Sequence, residues 1–129
     1  MSRKSKGSNA ERDLVHRFNA AGWSAIRSAG SGSMVHESPD VLAGNNLRRI
    51  AVECKTTKDI KKYLTQKEVD ELLHFANNFG AEPWIGIKFD RMEWSFINIE
   101  DAVKTDKSYM VDIRIAKNKG LSFDQLIGK

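Results

Sequence analysis

The sequence predicts an α/β protein: a central mixed β-sheet of about five strands flanked by helices, in the order α-β-β-β-α-β-β. Three observations carry that expectation. Two stretches place apolar residues at helical spacing, around residues 11–18 and 66–79. Short apolar runs at 23–27, 40–43 and 47–56 are separated by Gly, Ser and Asn, as strands joined by loops are. Two further runs, 83–89 and 92–99, follow the second helical stretch, which makes that helix a crossover into a mixed sheet. The chain has 129 residues and 40% apolar content, enough for one core and one domain spanning 1–129.

The elements follow in order. Arg3, Lys4 and Lys6 make residues 1–7 a flexible basic arm, read either as a solvated tail or as a segment lying on phosphates. Ser8-Asn9-Ala10-Glu11 fits a capping box, Leu14, Val15 and Phe18 form the buried stripe behind it, and Gly22 ends the helix. Glu11 falls on the same face as that stripe, so its carboxylate needs a partner; the cap supplies one, a neighbouring site another. The small residues 28–33 form either a plain linker or a loop that approaches a phosphate closely. Gly44-Asn45-Asn46 turns the second strand into the third, giving an antiparallel meander.

Thr65-Gln66-Lys67-Glu68 is a second capping box. The helix after it is expected to bury Val69, Leu72, Leu73, Ala76 and Phe79, and Gly80 closes it. Phe75 sits beyond the edge of that stripe, either as core filler or facing a partner subunit. Asp90-Arg91 forms a hairpin turn, and Trp94 and Phe96 share a face of the last strand. Residues 104–129 are less periodic, with a short terminal helix at 121–127.

The chemistry concentrates in one spaced set, Pro39-Asp40 followed by Glu53-Cys54-Lys55. Along the third strand Ile50, Val52 and Cys54 share one face, while Ala51, Glu53 and Lys55 share the other. A carboxylate and an ammonium thus project side by side, and Asp40 can meet them from the neighbouring strand. Carboxylates are hard ligands suited to Mg²⁺, and a lysine beside them can steady a developing anion. Those are the parts of a metal-dependent phosphodiesterase, although Glu-x-Lys alone also decorates ordinary solvent-facing strands.

Lys and Arg outnumber Asp and Glu by 21 to 17, a net charge of +4 compatible with nucleic acid. The single cysteine, Cys54, excludes an intramolecular disulfide and lies on the apolar face as a structural thiol. His16, His36 and His74 share no metal spacing, which argues against zinc. No run is long and apolar enough for a membrane helix, and no apolar segment follows the basic residues as in a secretory signal, so a cytoplasmic protein is expected.

Taken together, Arg3-Lys4, Ala10-Glu11-Arg12-Asp13-Leu14, Arg27-Ser28-Ala29-Gly30-Ser31, Asp40-Val41-Leu42-Ala43-Gly44, Val52-Glu53-Cys54-Lys55 and Phe75 through Phe79-Gly80 resemble the archaeal Holliday junction resolvases of the Hjc type. That family belongs to the restriction-endonuclease-like, PD-(D/E)xK nucleases. The resemblance covers about residues 3–100; the stretch from Ser31 to Asp40 is a few residues longer than usual, and residues 104–129 match only loosely.

The resemblance implies an active site of Glu11, Asp40, Glu53 and Lys55, with Glu11, Asp40 and Glu53 holding Mg²⁺, for which Mn²⁺ can substitute. It implies DNA contacts or site support from Arg3, Lys4, Arg12, Arg27 and Ser31, and a homodimer interface at Phe75 and Phe79. It further implies a four-way DNA junction as substrate, nucleoid association and other recombination or replication proteins as partners. The alternatives are another DNA repair or restriction nuclease on this fold, or a non-catalytic basic DNA-binding module.

Overall fold

The computed structural model describes residues 3–28 and 36–129, with side chains from residue 6 onward. Helix α1 (Arg3–Ala20) leads into strands β1 (Ser24–Arg27), β2 (Val41–Gly44) and β3 (Arg49–Thr57), the expected antiparallel meander. The chain then passes through β4 (Lys61–Thr65) and α2 (Gln66–Phe79) to β5 (Glu82–Phe89), which lies parallel to β3, and β6 (Ser95–Ile97) returns antiparallel. The central sheet is therefore five-stranded and mixed, in the order β1-β2-β3-β5-β6.

A second, three-stranded sheet has the order β4-β8-β7, with β7 at Val103–Lys104 and β8 at Ser108–Asp112. Helices α3 (Ile113–Lys119) and α4 (Phe123–Ile127) complete the chain. The sequence order α-β-β-β-α-β-β omits this second sheet and α3. The reason is visible in β4 and β8, each of which buries one residue, Leu64 and Val111, and so lacks a hydrophobic pattern long enough to read.

Period-two alternation splits the core across the central sheet. Ile50 and Val52 face α1 and pack with Leu14, Phe18, Trp23, Val41, Trp94 and Phe96. Ala51 faces the other way and packs under Leu72 and Ala76 of α2. A further cluster joins Leu64, Val69, Ile85, Ile87 and Val111, tying the second sheet to that same side.

Gly86 of β5 sits between the Val52 side chain and the stacked rings of Trp94 and Phe96, whose centroids are 5.9 Å apart. A Cβ there would lie 2.9 Å from Val52 Cγ1 and 3.2 Å from Phe96. Gly86→Ala is expected to cost about 1–3 kcal/mol by overpacking. Urea unfolding checks this, with a lower midpoint and an unchanged m-value as the expected result.

Two expectations at helix ends have different outcomes. The capping box of α2 forms as read: Thr65 Oγ1 accepts the Glu68 N–H at 3.0 Å and Glu68 Oε1 accepts the Thr65 N–H at 2.9 Å. Gly80 closes the helix at φ 82°. The first capping box does not form, because α1 starts at Arg3 and Ser8 lies inside it. Residues 3–7, expected as a flexible arm, are helical.

In α2 the buried residues are Val69, Leu72 and Ala76, whereas Leu73 and Phe79, expected in the core, are largely exposed. The flat sheet covers a narrower stripe than the helix's apolar face.

At the amino-terminal end of the two parallel strands, Arg48 forms a clasp. Its guanidinium donates to both carboxylate oxygens of Glu82 at 2.8 Å and to the Leu126 carbonyl of α4 at 2.7 Å, and it lies over the Trp23 ring.

Candidate active site

The site lies toward the carboxyl-terminal end of β3, where ligands bind in open α/β sheets. The antiparallel register puts Val41 opposite Val52, which carries Asp40 alongside Glu53 and Cys54. Asp40 is the one buried charged residue among those described, and its Oδ2 accepts the Cys54 N–H at 2.8 Å. The Glu53 carboxyl shares a hydrogen bond with Asp40, and Lys55 Nζ stands 3.9 Å from Glu53 Oε2. Thus Asp40, Glu53 and Lys55 come together as the spacing predicts.

Burial and the neighbouring charge of Asp40 push the Glu53 carboxyl up to about 9, with Lys55 opposing the rise. Burial, with the charges of Asp40, Glu11 and Glu53, raises the Cys54 thiol well above its usual range, which fits an inert structural thiol.

Glu11 projects from α1 to the edge of this cluster. Its carboxyl is raised by burial and by the charge of Asp40, and Arg27 works against that rise. Arg27 reaches across from β1, with Nη2 3.3 Å from Glu11 Oε1 and 3.2 Å from Ser8 Oγ. The local cap offered by the sequence is therefore replaced by an ion pair between α1 and β1. Arg27 takes a supporting place rather than an outward one, while Arg12 stays at the surface of α1 beside Asn9 Oδ1 at 3.3 Å. The side chains of Arg3 and Lys4, and all of Ser31, lie outside the described residues.

Lys55 has a partner that the sequence did not suggest. Its ammonium forms an ion pair with Glu68 Oε2, at the first turn of α2. Burial alone would lower the lysine's pKa; the Glu68 hydrogen bond and charge, with Glu53 and Asp40, raise it instead. Burial opposes ionisation of Glu68 as well, but the bonds from Lys55 and Thr65 lower its pKa. In the sequence Glu68 is fully explained by the capping box.

Among the described residues, no three acidic, histidine or cysteine side chains form a ready-made metal cage. The expected trio of Glu11, Asp40 and Glu53 is split, because Glu11 is turned to Arg27. The donor set still fits a hard divalent cation. Mg²⁺ is usually held by one or two carboxylates with waters and substrate phosphates completing its shell. Asp40 and Glu53 could supply those two, in a cluster where burial and the charge of Asp40 already oppose ionisation of Glu53. His74 pairs instead with Glu37 and Asn78.

Phe75, half-buried against Leu72 and Ala76, stacks at 5.3 Å on the exposed Phe79, and both line a shallow concavity with His36, Glu37 and Asn78. No described helix is long and apolar enough to cross a membrane.

A mixed sheet carrying Asp40, Glu53 and Lys55 at its carboxyl-terminal end defines a protein of the restriction-endonuclease-like class. The comparisons narrow the class. A family model described as archaeal Holliday junction resolvase (hjc) matches residues 2–129. A crossover junction endodeoxyribonuclease Hjc of Archaeoglobus fulgidus is 37% identical over 98% of each chain. Its counterpart in Methanocaldococcus jannaschii is 35% identical over 96% of this chain and 88% of its own. A solved structure of A. fulgidus Hjc, described as a Holliday junction resolvase, superposes with a TM-score of 0.86 at 35% identity, covering 96% of this chain and 97% of that one. The chain belongs to the Hjc family of archaeal Holliday junction resolvases.

Proposed function

We propose that this protein is a structure-specific endonuclease that resolves four-way DNA junctions by paired, Mg²⁺-dependent phosphodiester hydrolysis. The observation that carries the proposal is the buried Asp40–Glu53 pair with Lys55 beside it, in a chain of this family. Asp40 and Glu53 would hold the cation, with the Cys54 carbonyl as a further oxygen and Glu11 at the margin. Bound there, Mg²⁺, or Mn²⁺ in its place, would supply Lewis-acid polarisation of a phosphate and a water of lowered pKa.

The chain's own residues do the rest. Lys55 would place a positive charge beside the phosphoryl oxygens, which carry the negative charge of the transition state. Arg27 holds the Glu11 carboxylate in place at the margin of the cluster. Arg12, with the basic start of α1 at Arg3 and Lys4, meets phosphates, which are contacts blind to sequence. Specificity therefore comes from the shape of the DNA.

Two such sites are needed for paired cuts, and a C₂ dimer matches a substrate with approximate two-fold symmetry. The Phe75–Phe79 stack is the surface we assign to that dimer; half-buried Phe75 backs the exposed Phe79 ring, and Leu73 is a further exposed apolar residue of the same helix. Such an enzyme works in the cytoplasm on chromosomal DNA, beside other recombination proteins.

The test is labelled four-way junction in the presence of excess linear duplex, with and without Mg²⁺. Paired, metal-dependent nicks confined to the junction are expected. Equal cutting of the duplex would point to another nuclease of this fold, and tight binding without cuts to a non-catalytic binder.

A further inference from the structure

We infer that Glu68 is a positioning residue for Lys55: the first turn of α2 fixes its carboxylate, and that carboxylate holds the lysine's ammonium at the acidic cluster. The catalytic half of this inference rests on the junction-nuclease reading.

The geometry gives Glu68 two separate tasks. Its Oε1 accepts the Thr65 N–H at 2.9 Å and lies 3.3 Å from Thr65 Oγ1, which closes the capping box. Its Oε2 pairs with Lys55 Nζ. One oxygen is thus locked to the backbone at the helix start while the other faces the site. A lysine side chain carries several freely turning carbons and a compact charge, so it needs an outside constraint to stay in one place. Glu53 lies 3.9 Å from the ammonium, too far for a hydrogen bond, which leaves Glu68 as its close carboxylate partner. Both side chains are largely shielded from water, at 21% and 29% exposure, so the pair is not a solvent-screened surface contact.

The helix does not require the charge. A glutamine at the third position of a capping box accepts the same backbone N–H. Apart from a modest helix-dipole contribution, the negative charge answers to Lys55. The α2 start, delivered to the site by the β4 segment, therefore acts as a fixed post for the lysine of a different strand.

The two tasks can be separated by substitution. Glu68→Gln keeps the cap and removes the charge; Thr65→Ala weakens the cap and leaves the charge. For Glu68→Gln, the single-turnover rate on a four-way junction is expected to fall about 10–100-fold. Its junction affinity without divalent metal should stay within about twofold, since Glu68 itself makes no phosphate contact and the charge of Lys55 is retained. Glu68→Asp should recover part of the rate. Thr65→Ala should lower the melting temperature and leave the rate within about twofold.

A second readout needs neither DNA nor metal. In lysine-¹⁵N-labelled protein, the Lys55 ammonium signal should exchange slowly with water in the wild type and in Thr65→Ala, and be lost in Glu68→Gln. Wild-type rate and wild-type ammonium exchange in Glu68→Gln would overturn the inference. So would a rate loss in Thr65→Ala as large as in Glu68→Gln, because the effect would then be the helix's. If the wild type cuts no junction, the functional reading fails, and the ammonium exchange still decides whether Glu68 holds Lys55.

Discussion

Glu53→Gln is expected to stop cleavage and, in the same protein, to raise stability near neutral pH in the absence of metal. The loss of activity follows from removing one of the two carboxylates proposed to hold the cation; a drop of roughly 1,000-fold or more in single-turnover rate is expected. Junction binding should persist, since the phosphate contacts lie elsewhere.

The gain in stability follows from the raised Glu53 carboxyl. Its value shifts from the usual 4.5 to about 9. Below pH 4.5 the group is protonated in both folded and unfolded chains and costs nothing. As pH rises the unfolded chain ionises first while the buried carboxyl does not, so this group progressively favours unfolding until pH passes about 9. The penalty is on the order of a few kcal/mol at neutral pH. An amide at this position cannot ionise. Urea unfolding of the metal-free proteins between about pH 5 and pH 9 should therefore show a falling midpoint for the wild type and a flatter profile for Glu53→Gln. Parallel profiles, or a variant less stable throughout, would contradict the assignment of Glu53 as a strained, functional acid.

Phe79→Asp is expected to convert a dimer into a monomer. Phe79 is about half exposed in the isolated chain and stacks on Phe75, so the substitution removes little from the protomer's own core. Across a two-fold seam every side chain counts twice, and two carboxylates would enter an apolar contact. Light scattering should report about 29 kDa for the wild type, twice the chain mass of 14.6 kDa, and the single chain mass for the variant. The functional consequence should be loss of coordination. On a supercoiled plasmid bearing a cruciform, a dimer cuts both strands within one encounter and yields linear product. The monomer should release nicked circles first. A wild-type protein of single-chain mass, or a dimeric Phe79→Asp, would remove α2 from consideration as the interface.

The legible parts of this protein are those in which one periodicity decides. Alternation along β3 put Glu53 and Lys55 on one face and Cys54 on the other, and the structure agrees. The α2 cap was readable because Thr65 and Glu68 interact locally. The same pattern misled at Ser8 and Glu11, where a tertiary partner, Arg27, outcompeted the local cap and α1 extended back to Arg3. The Lys55–Glu68 pair was illegible for a related reason. A residue fully accounted for by its neighbours in sequence gives no sign of a second partner in space. The β4-β8-β7 sheet was missed because β4 and β8 each bury a single residue and the two-residue β7 buries none, so long-range pairing rather than pattern defines them.

The Arg48 clasp gives the sheet two unlike ends. At one end, opposite charges are matched: Glu82 is held below its usual range mainly by the Arg48 hydrogen bond, and the same guanidinium fastens the last helix. At the other end, β3 delivers the Glu53 carboxyl, which burial and the charge of Asp40 push up. Charge frustration is thus segregated to one pole and relieved at the opposite one. Such a molecule is expected to open unevenly, with hydrogen exchange fastest among the reactive groups while the clasped pole keeps the register of the parallel strands. The acids can then rearrange around a cation or a phosphate without the strands that carry them slipping out of alignment.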